Sequence, residues 1–129
     1  SNGNNLAVRL ESLFSEVREV IDDFRPQTMC LEEVYSHIEY PRTAILMGHA
    51  RGVICLAARL ARIPVLSFSA KRIKQAVTGN GNASKQQVQR SVQQIFHLGR
   101  PPQPPDVADA LATALCYVNS MKAPRVGGH

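Results

Sequence analysis

Asp106 and Asp109 open the segment DVADALATALC, three residues apart at the start of a stretch that is otherwise apolar. At helical spacing they share nearly one face, at the edge of the face that Leu111, Ala114 and Leu115 would pack. Aspartate is a favoured N-cap, which accounts for Asp106, and the helix macrodipole favours both acids. Capping leaves Asp109 unexplained. A second acidic pair, Glu32-Glu33, closes the short apolar segment TMCLEEV. Acids are rarely buried without a partner, and successive strand residues face opposite ways, so one of the pair can point towards the aspartates. A strand-end glutamate with a helix-start aspartate pair makes an oxygen-rich cluster suited to hard cations such as Mg²⁺ or Mn²⁺. Two such ions about 4 Å apart can activate a water and stabilise the leaving oxygen in phosphodiester cleavage. Plain capping and solvated acids are the alternative that the carboxylates alone leave open.

The elements that must position these groups read as an alternation of helices and short strands. Leu6, Leu10, Leu13, Phe14, Val17, Val20, Ile21 and Phe24 fall on one helical stripe over residues 6–24, with Asn5 as a cap and Pro26 as a stop. Residues 28–34 read as a buried strand, 43–62 as a second helix, and PVLSFS from Pro64 as a second strand. A helix between two short apolar strands is a βαβ unit, so the strands should be parallel. Gly48 and Gly52 sit one turn apart inside the second helix, where glycine costs about 1 kcal/mol against alanine, which implies a close backbone approach by a neighbouring element or a second subunit. A short helix over 70–77, capped by Ser69, carries Lys71, Arg72 and Lys74 beside apolar Ile73 and Val77. TGNGNAS reads as a flexible turn. Ser84 and Gln87 have capping-box spacing for a helix reaching about residue 97, which puts Lys85 in its first turn, where backbone N–H groups favour phosphate. The last helix runs from Asp106 to about Ser120, and KAPRVGGH reads as a disordered tail. The expected organisation is one domain over 1–121 with a tail over 122–129.

Net charge is +5, and its distribution says more than its sum. Residues 1–40 carry eight acids and three bases; residues 41–105 carry ten bases and no acid. A long stretch of one sign suggests an anionic partner, nucleic acid foremost, against the plainer reading of a solvated basic face. Cys30, Cys55 and Cys116 are odd in number and widely spaced, so they signal buried thiols rather than a disulfide framework or a metal knuckle. His37, His49, His97 and His129 share no metal-ligand spacing, and no GKS or GKT follows the glycine–asparagine loop to make a P-loop. No signal-peptide layout and no apolar run of about 18 residues are read, so a soluble intracellular protein is expected.

Four segments in order, CLEEVY, GHARGVICLAA, IKQAVTGNGNASKQQVQ and DVADALATAL, resemble the RuvC family of bacterial Holliday-junction resolvases over roughly residues 5–120. The resemblance implies an α/β, ribonuclease H-like fold and a cytoplasmic, homodimeric endonuclease. Such an enzyme places symmetric nicks in four-way DNA junctions during recombination and repair, with two Mg²⁺ (or Mn²⁺) ions and a branch-migration motor complex as partner. It aligns Glu32, rather than Glu33, with the family's catalytic and metal-binding glutamate, and Asp106 and Asp109 with its C-terminal carboxylates. Tyr35 falls where the family has an aromatic that stacks on bases, and stacking is worth about 1–3 kcal/mol per base. Lys74 and Lys85 match lysines that contact the scissile backbone, and Lys71 and Arg72 extend the same basic surface. Gly48 and Gly52 fall on the family's dimer-forming helix, and a two-fold dimer suits a four-way junction.

The chain departs from the family pattern at its start. Family members open with a strand carrying a metal-binding aspartate in an Asp-Pro-Gly motif, followed by two more strands. No such motif is present, and Asp22 and Asp23 close the first helix instead. The fold is therefore expected with its first three strands missing and the chain weak or inactive alone, the alternative function being a non-catalytic junction-binding module. A related ribonuclease H-like nuclease acting on other nucleic acids is a third reading.

Overall fold

The computed structural model describes residues 5–33, 40–103 and 105–122. Tyr35, Glu39, His37 and the tail from residue 123 lie outside them. The order of elements is α1 (Leu6–Phe24), β1 (Met29–Glu32), α2 (Pro41–Leu60), β2 (Val65–Phe68), α3 (Ala70–Thr78), α4 (Lys85–Ile95) and α5 (Pro105–Lys122). β1 and β2 pair. Met29 N–H donates to Pro64 O at 2.9 Å and Glu33 N–H to Phe68 O at 2.8 Å, a constant offset that makes the pair parallel, as a βαβ unit requires. Two compact units divide the chain: residues 1–29 with 34–66, and residues 30–33 with 67–129.

In the first unit α1 packs on α2. Asn5 Oδ1 accepts from Ala7 N–H at 2.8 Å and Val8 N–H at 3.4 Å, the expected cap. The helix closes on Arg25, whose left-handed backbone (φ 46°) lets its N–H reach Ile21 O at 2.8 Å. Ile21, Ala57, Ala58 and Ile63 form the core, with Phe14, Val17, Met29 and Val65 against it. The apolar stripe of α1 is wider than what covers it: Val20 and Phe24 stay exposed, Phe24 at 77%. The fully buried residues of α2 are two small alanines, Ala57 and Ala58. α2 begins at Pro41 rather than 43, because proline suits the first helical position, where its missing N–H has no partner to lose.

One expectation for α2 is corrected. At 20 residues with a window of mean hydropathy 1.2, it is long and apolar enough by length and composition to cross a membrane. Arg51 at its middle argues against that, since a central arginine costs about 2.5–3.5 kcal/mol on insertion scales. No described residue lies within 4 Å of a Cβ built at Gly48 or Gly52, so among the described residues no neighbouring element makes a close approach there, which leaves the second subunit of the two alternatives.

In the second unit α3, α4 and α5 pack on one another around Phe68, Ile73, Val77, Ala83, Val88, Val92, Ala112 and Cys116. Cys30, Leu111 and Leu115 close the edges. The TGNGNAS segment is not the loose turn its composition suggests. Thr78 Oγ1 donates to Lys74 O at 2.8 Å and accepts from Asn80 N–H at 3.0 Å. Asn80 Oδ1 accepts from Asn82 N–H at 2.9 Å, and Gly79, with φ 83°, closes α3 on Gln75 O. Side-chain oxygens replace the missing helical partners, which is the usual work of Asn and Thr in turns.

Candidate active site

Glu32 is the last residue of β1 and lies half-buried. The ladder bond from Glu33 N–H to Phe68 O holds the backbone immediately after it. Its carboxyl is raised above the usual glutamate range, first by burial and then by the negative charge of Asp109, while Lys74 and Lys85 pull it down. One carboxylate of β1, one of α5, and one lysine each from α3 and α4 therefore share a single electrostatic neighbourhood within the second unit.

Asp109 owes its place to the register of α5. Ala108, Ala112, Thr113 and Cys116 are buried. Asp109 sits one turn ahead of Ala112 and Thr113, at the N-terminal end of that buried face, and is itself half-buried. The Thr113 hydroxyl donates to Asp109 O at 2.9 Å. Lower down, Cys116 Sγ lies 3.9 Å from Arg72 O and Asn119 Nδ2 donates to Ala76 O at 3.2 Å, which pins α5 along α3.

Asp106 differs from the capping role its spacing suggested. Pro105 takes the first helical position, so Asp106 stands inside the first turn, exposed, one turn beyond Asp109. Among the described residues no group of three His, Cys, Asp or Glu side chains converges on one point. Asp109 acts on the charge of Glu32, while Asp106 is exposed.

The two lysines are placed by different means. Lys74 is half-buried on α3, which Ser69 caps by accepting from Arg72 N–H at 3.1 Å, while Ile73 and Val77 anchor the helix in the core. Lys85 opens α4, where the capping box is fully formed: Gln87 N–H donates to Ser84 Oγ at 3.1 Å and Ser84 N–H to Gln87 Oε1 at 2.7 Å. Lys71 is exposed, and its stem lies across Gly81: a Cβ there would stand 2.9 Å from Lys71 Cγ. Arg72 leans over the Phe68 ring, 5.1 Å from its centroid. Arg90, on α4, lines a polar groove beside the Thr78–Ala83 loop. The 87–90–94 spacing on α4 is the signal that could have found it.

Carboxylate oxygens without sulfur or imidazole suit hard cations such as Mg²⁺ or Mn²⁺. Two carboxylates close enough to repel fit such an ion, because its charge offsets both the burial that chiefly raises Glu32 and the repulsion from Asp109.

The model of the family described as "Crossover junction endodeoxyribonuclease RuvC" matches residues 1–117. A protein of that name from Rhodopirellula baltica is 47% identical over 113 residues, 88% of this chain and 64% of its own length. One from Moorella thermoacetica is 43% identical over 117 residues, covering 91% of this chain and 70% of its own. The structure of Thermus thermophilus RuvC superposes with a TM-score of 0.84 at 32% identity, covering 95% of this chain and 73% of that one. The T. thermophilus protein in complex with a Holliday junction substrate gives 0.85. This chain thus spans 64% of the length of the Rhodopirellula relative, and its fold is the ribonuclease H-like resolvase fold. With the family model matching nearly the whole sequence, the chain belongs to the RuvC family.

Proposed function

We propose that this chain is the resolvase portion of a Holliday-junction endonuclease that hydrolyses DNA phosphodiesters with a divalent metal. The observation that carries this reading is the half-buried Glu32 at the end of β1, whose charge the half-buried Asp109 of α5 opposes and Lys74 and Lys85 favour. Glu32 and Asp109 would hold Mg²⁺ or Mn²⁺, with Asp106 completing the site from the first turn of α5. The ion supplies Lewis-acid charge at the scissile phosphate. Lys74 and Lys85 bind and orient that phosphate, and neutralise charge that accumulates on its oxygens. Lys71 and Arg72 extend the basic surface beside them, and Tyr35 stacks on a base near the crossover.

Symmetric nicking requires two copies of the site. The exposed α2 face around Gly48 and Gly52, with Ile45, Met47 and Leu56 also exposed, supports a homodimer through this helix. The T. thermophilus complex with a Holliday junction supports a four-way junction as substrate; a branch-migration motor and a cytoplasmic setting follow by family membership.

A second reading, a junction-binding module without chemistry, is favoured by one observation: no third carboxylate joins Glu32 and Asp109 among the described residues. The test is incubation of this chain with a labelled four-way junction and with linear duplex, in Mg²⁺ and in chelator. Mg²⁺-dependent nicks confined to the junction support the endonuclease. Junction-selective, salt-sensitive binding without nicks supports the module. Equal binding to junction and duplex contradicts both.

A further inference from the structure

On the far side of the Thr78–Ala83 loop, Thr78, Asn80, Ala83, Gln87, Arg90, Ser91 and Gln94 enclose a groove of about 220 Å³. Gln87, Arg90, Ser91 and Gln94 follow one another at helical spacing, so they form one stripe of α4, opposite the buried Val88 and Val92. Gln87 Oε1 is engaged by Ser84 N–H and Asn80 Oδ1 by Asn82 N–H. Both amides also present NH₂ donors, and Arg90 adds a guanidinium with five N–H donors. Arg90 has no carboxylate partner among the described residues, and no acid occurs anywhere in residues 41–105. A polar groove whose one charged lining residue is a cation, in a stretch without acids, favours an anion. Its volume lies below the roughly 300–1,000 Å³ of sites for drug-sized ligands, which fits a single phosphodiester group rather than a whole nucleotide.

We infer that the Arg90 groove is a second backbone-phosphate subsite, which seats the DNA strand beyond the phosphate held at Lys85. This rests on the nucleic-acid reading above. Lys85 and Arg90 lie five residues apart on α4, about 7.5 Å along its axis and about 140° around it, so the two cations serve different phosphates. Lys71, laid across Gly81 at the rim of the same loop, extends the cationic surface there. Gln87 serves both purposes: its oxygen caps the helix that presents Lys85, and its nitrogen lines the groove. Arg90 is a binding residue and touches no reacting atom.

The test measures affinity of the intact chain for a four-way junction against salt concentration, for wild type, Arg90→Gln, Lys85→Gln and the double variant. Each neutralised phosphate contributes about 0.9 to the slope of log affinity against log salt. Arg90→Gln should lower the slope by about 0.9 and weaken binding about threefold to tenfold near 0.1 M salt. The double variant should lose both slopes. Circular dichroism melts of the exposed-site variants should match wild type. A slope unchanged in Arg90→Gln while Lys85→Gln loses its share overturns the subsite and leaves the nucleic-acid reading standing. Slopes unchanged in both, or no junction binding by wild type, overturns that reading and the subsite with it.

Discussion

Replacing Ser84 by alanine probes the link between local capping and the placement of Lys85. In the structure Ser84 Oγ accepts from Gln87 N–H at 3.1 Å while Gln87 Oε1 accepts from Ser84 N–H at 2.7 Å. The substitution removes the first bond outright and orphans one N–H of the first turn of α4. Loss of a serine cap costs about 0.5–2 kcal/mol, typically about 1. Unfolding entropy near 2.1 cal/mol/K per residue gives roughly 0.27 kcal/mol/K for 129 residues. The expected drop in Tm is therefore about 4 °C. Ser84→Asp should restore most of it, because aspartate caps as well as serine and adds favourable charge at the helix start. Gln87→Ala should cost a comparable amount. The double variant should lose less than the two losses added, since each bond fixes the geometry the other needs. Melts followed by circular dichroism at one pH and salt decide it. A drop below about 1 °C for Ser84→Ala, or no recovery in Ser84→Asp, refutes the capping argument.

Other outcomes follow from the same geometry. Val92, fully buried at 0% exposure among the α3–α5 helices, should cost about 2 kcal/mol when cut to alanine, with a Tm drop near 8 °C in the same melts. Glu32 is raised by burial and by Asp109, so its protonated form favours folding and that contribution fades as pH rises through its folded value. Metal-free Glu32→Gln should therefore gain in Tm relative to wild type as pH goes from about 4 to 7, and a constant difference across that range counts against it. Asp109→Asn should abolish any Mg²⁺-dependent nicking while leaving junction affinity within about twofold, read by gel shift and by product bands. Cys116→Ser, which puts a more polar group at a site 2% exposed, should lower Tm without changing the salt dependence of DNA binding.

Much of this arrangement was legible in the sequence because it is written in local chemistry. Asn5, Ser69 and the Ser84–Gln87 box cap as their types and spacing dictate. The parallel pairing of β1 and β2 followed from two apolar runs separated by one helix. What was not legible depended on tertiary context. Pro105 rather than Asp106 starts α5, because proline at the first turn forgoes nothing. The glycine–asparagine segment looked loose, yet Thr78 and Asn80 tie it down with their own side chains. Val20 and Phe24 of the α1 stripe remain exposed, which no periodicity predicts. Of the site, the residue types of Glu32, Asp106 and Asp109 were readable. That Glu32 and Asp109 interact while Asp106 stands towards solvent required the fold.

The most direct measurement is titration of this chain with Mn²⁺, followed by electron paramagnetic resonance, for wild type, Glu32→Gln and Asp109→Asn. Saturable binding by wild type that is weakened at least tenfold in each variant is the expected result, since each removes half of the carboxylate pair that seats the ion. Equal binding by all three would contradict the assignment of Glu32 and Asp109 as the seat of the catalytic cation.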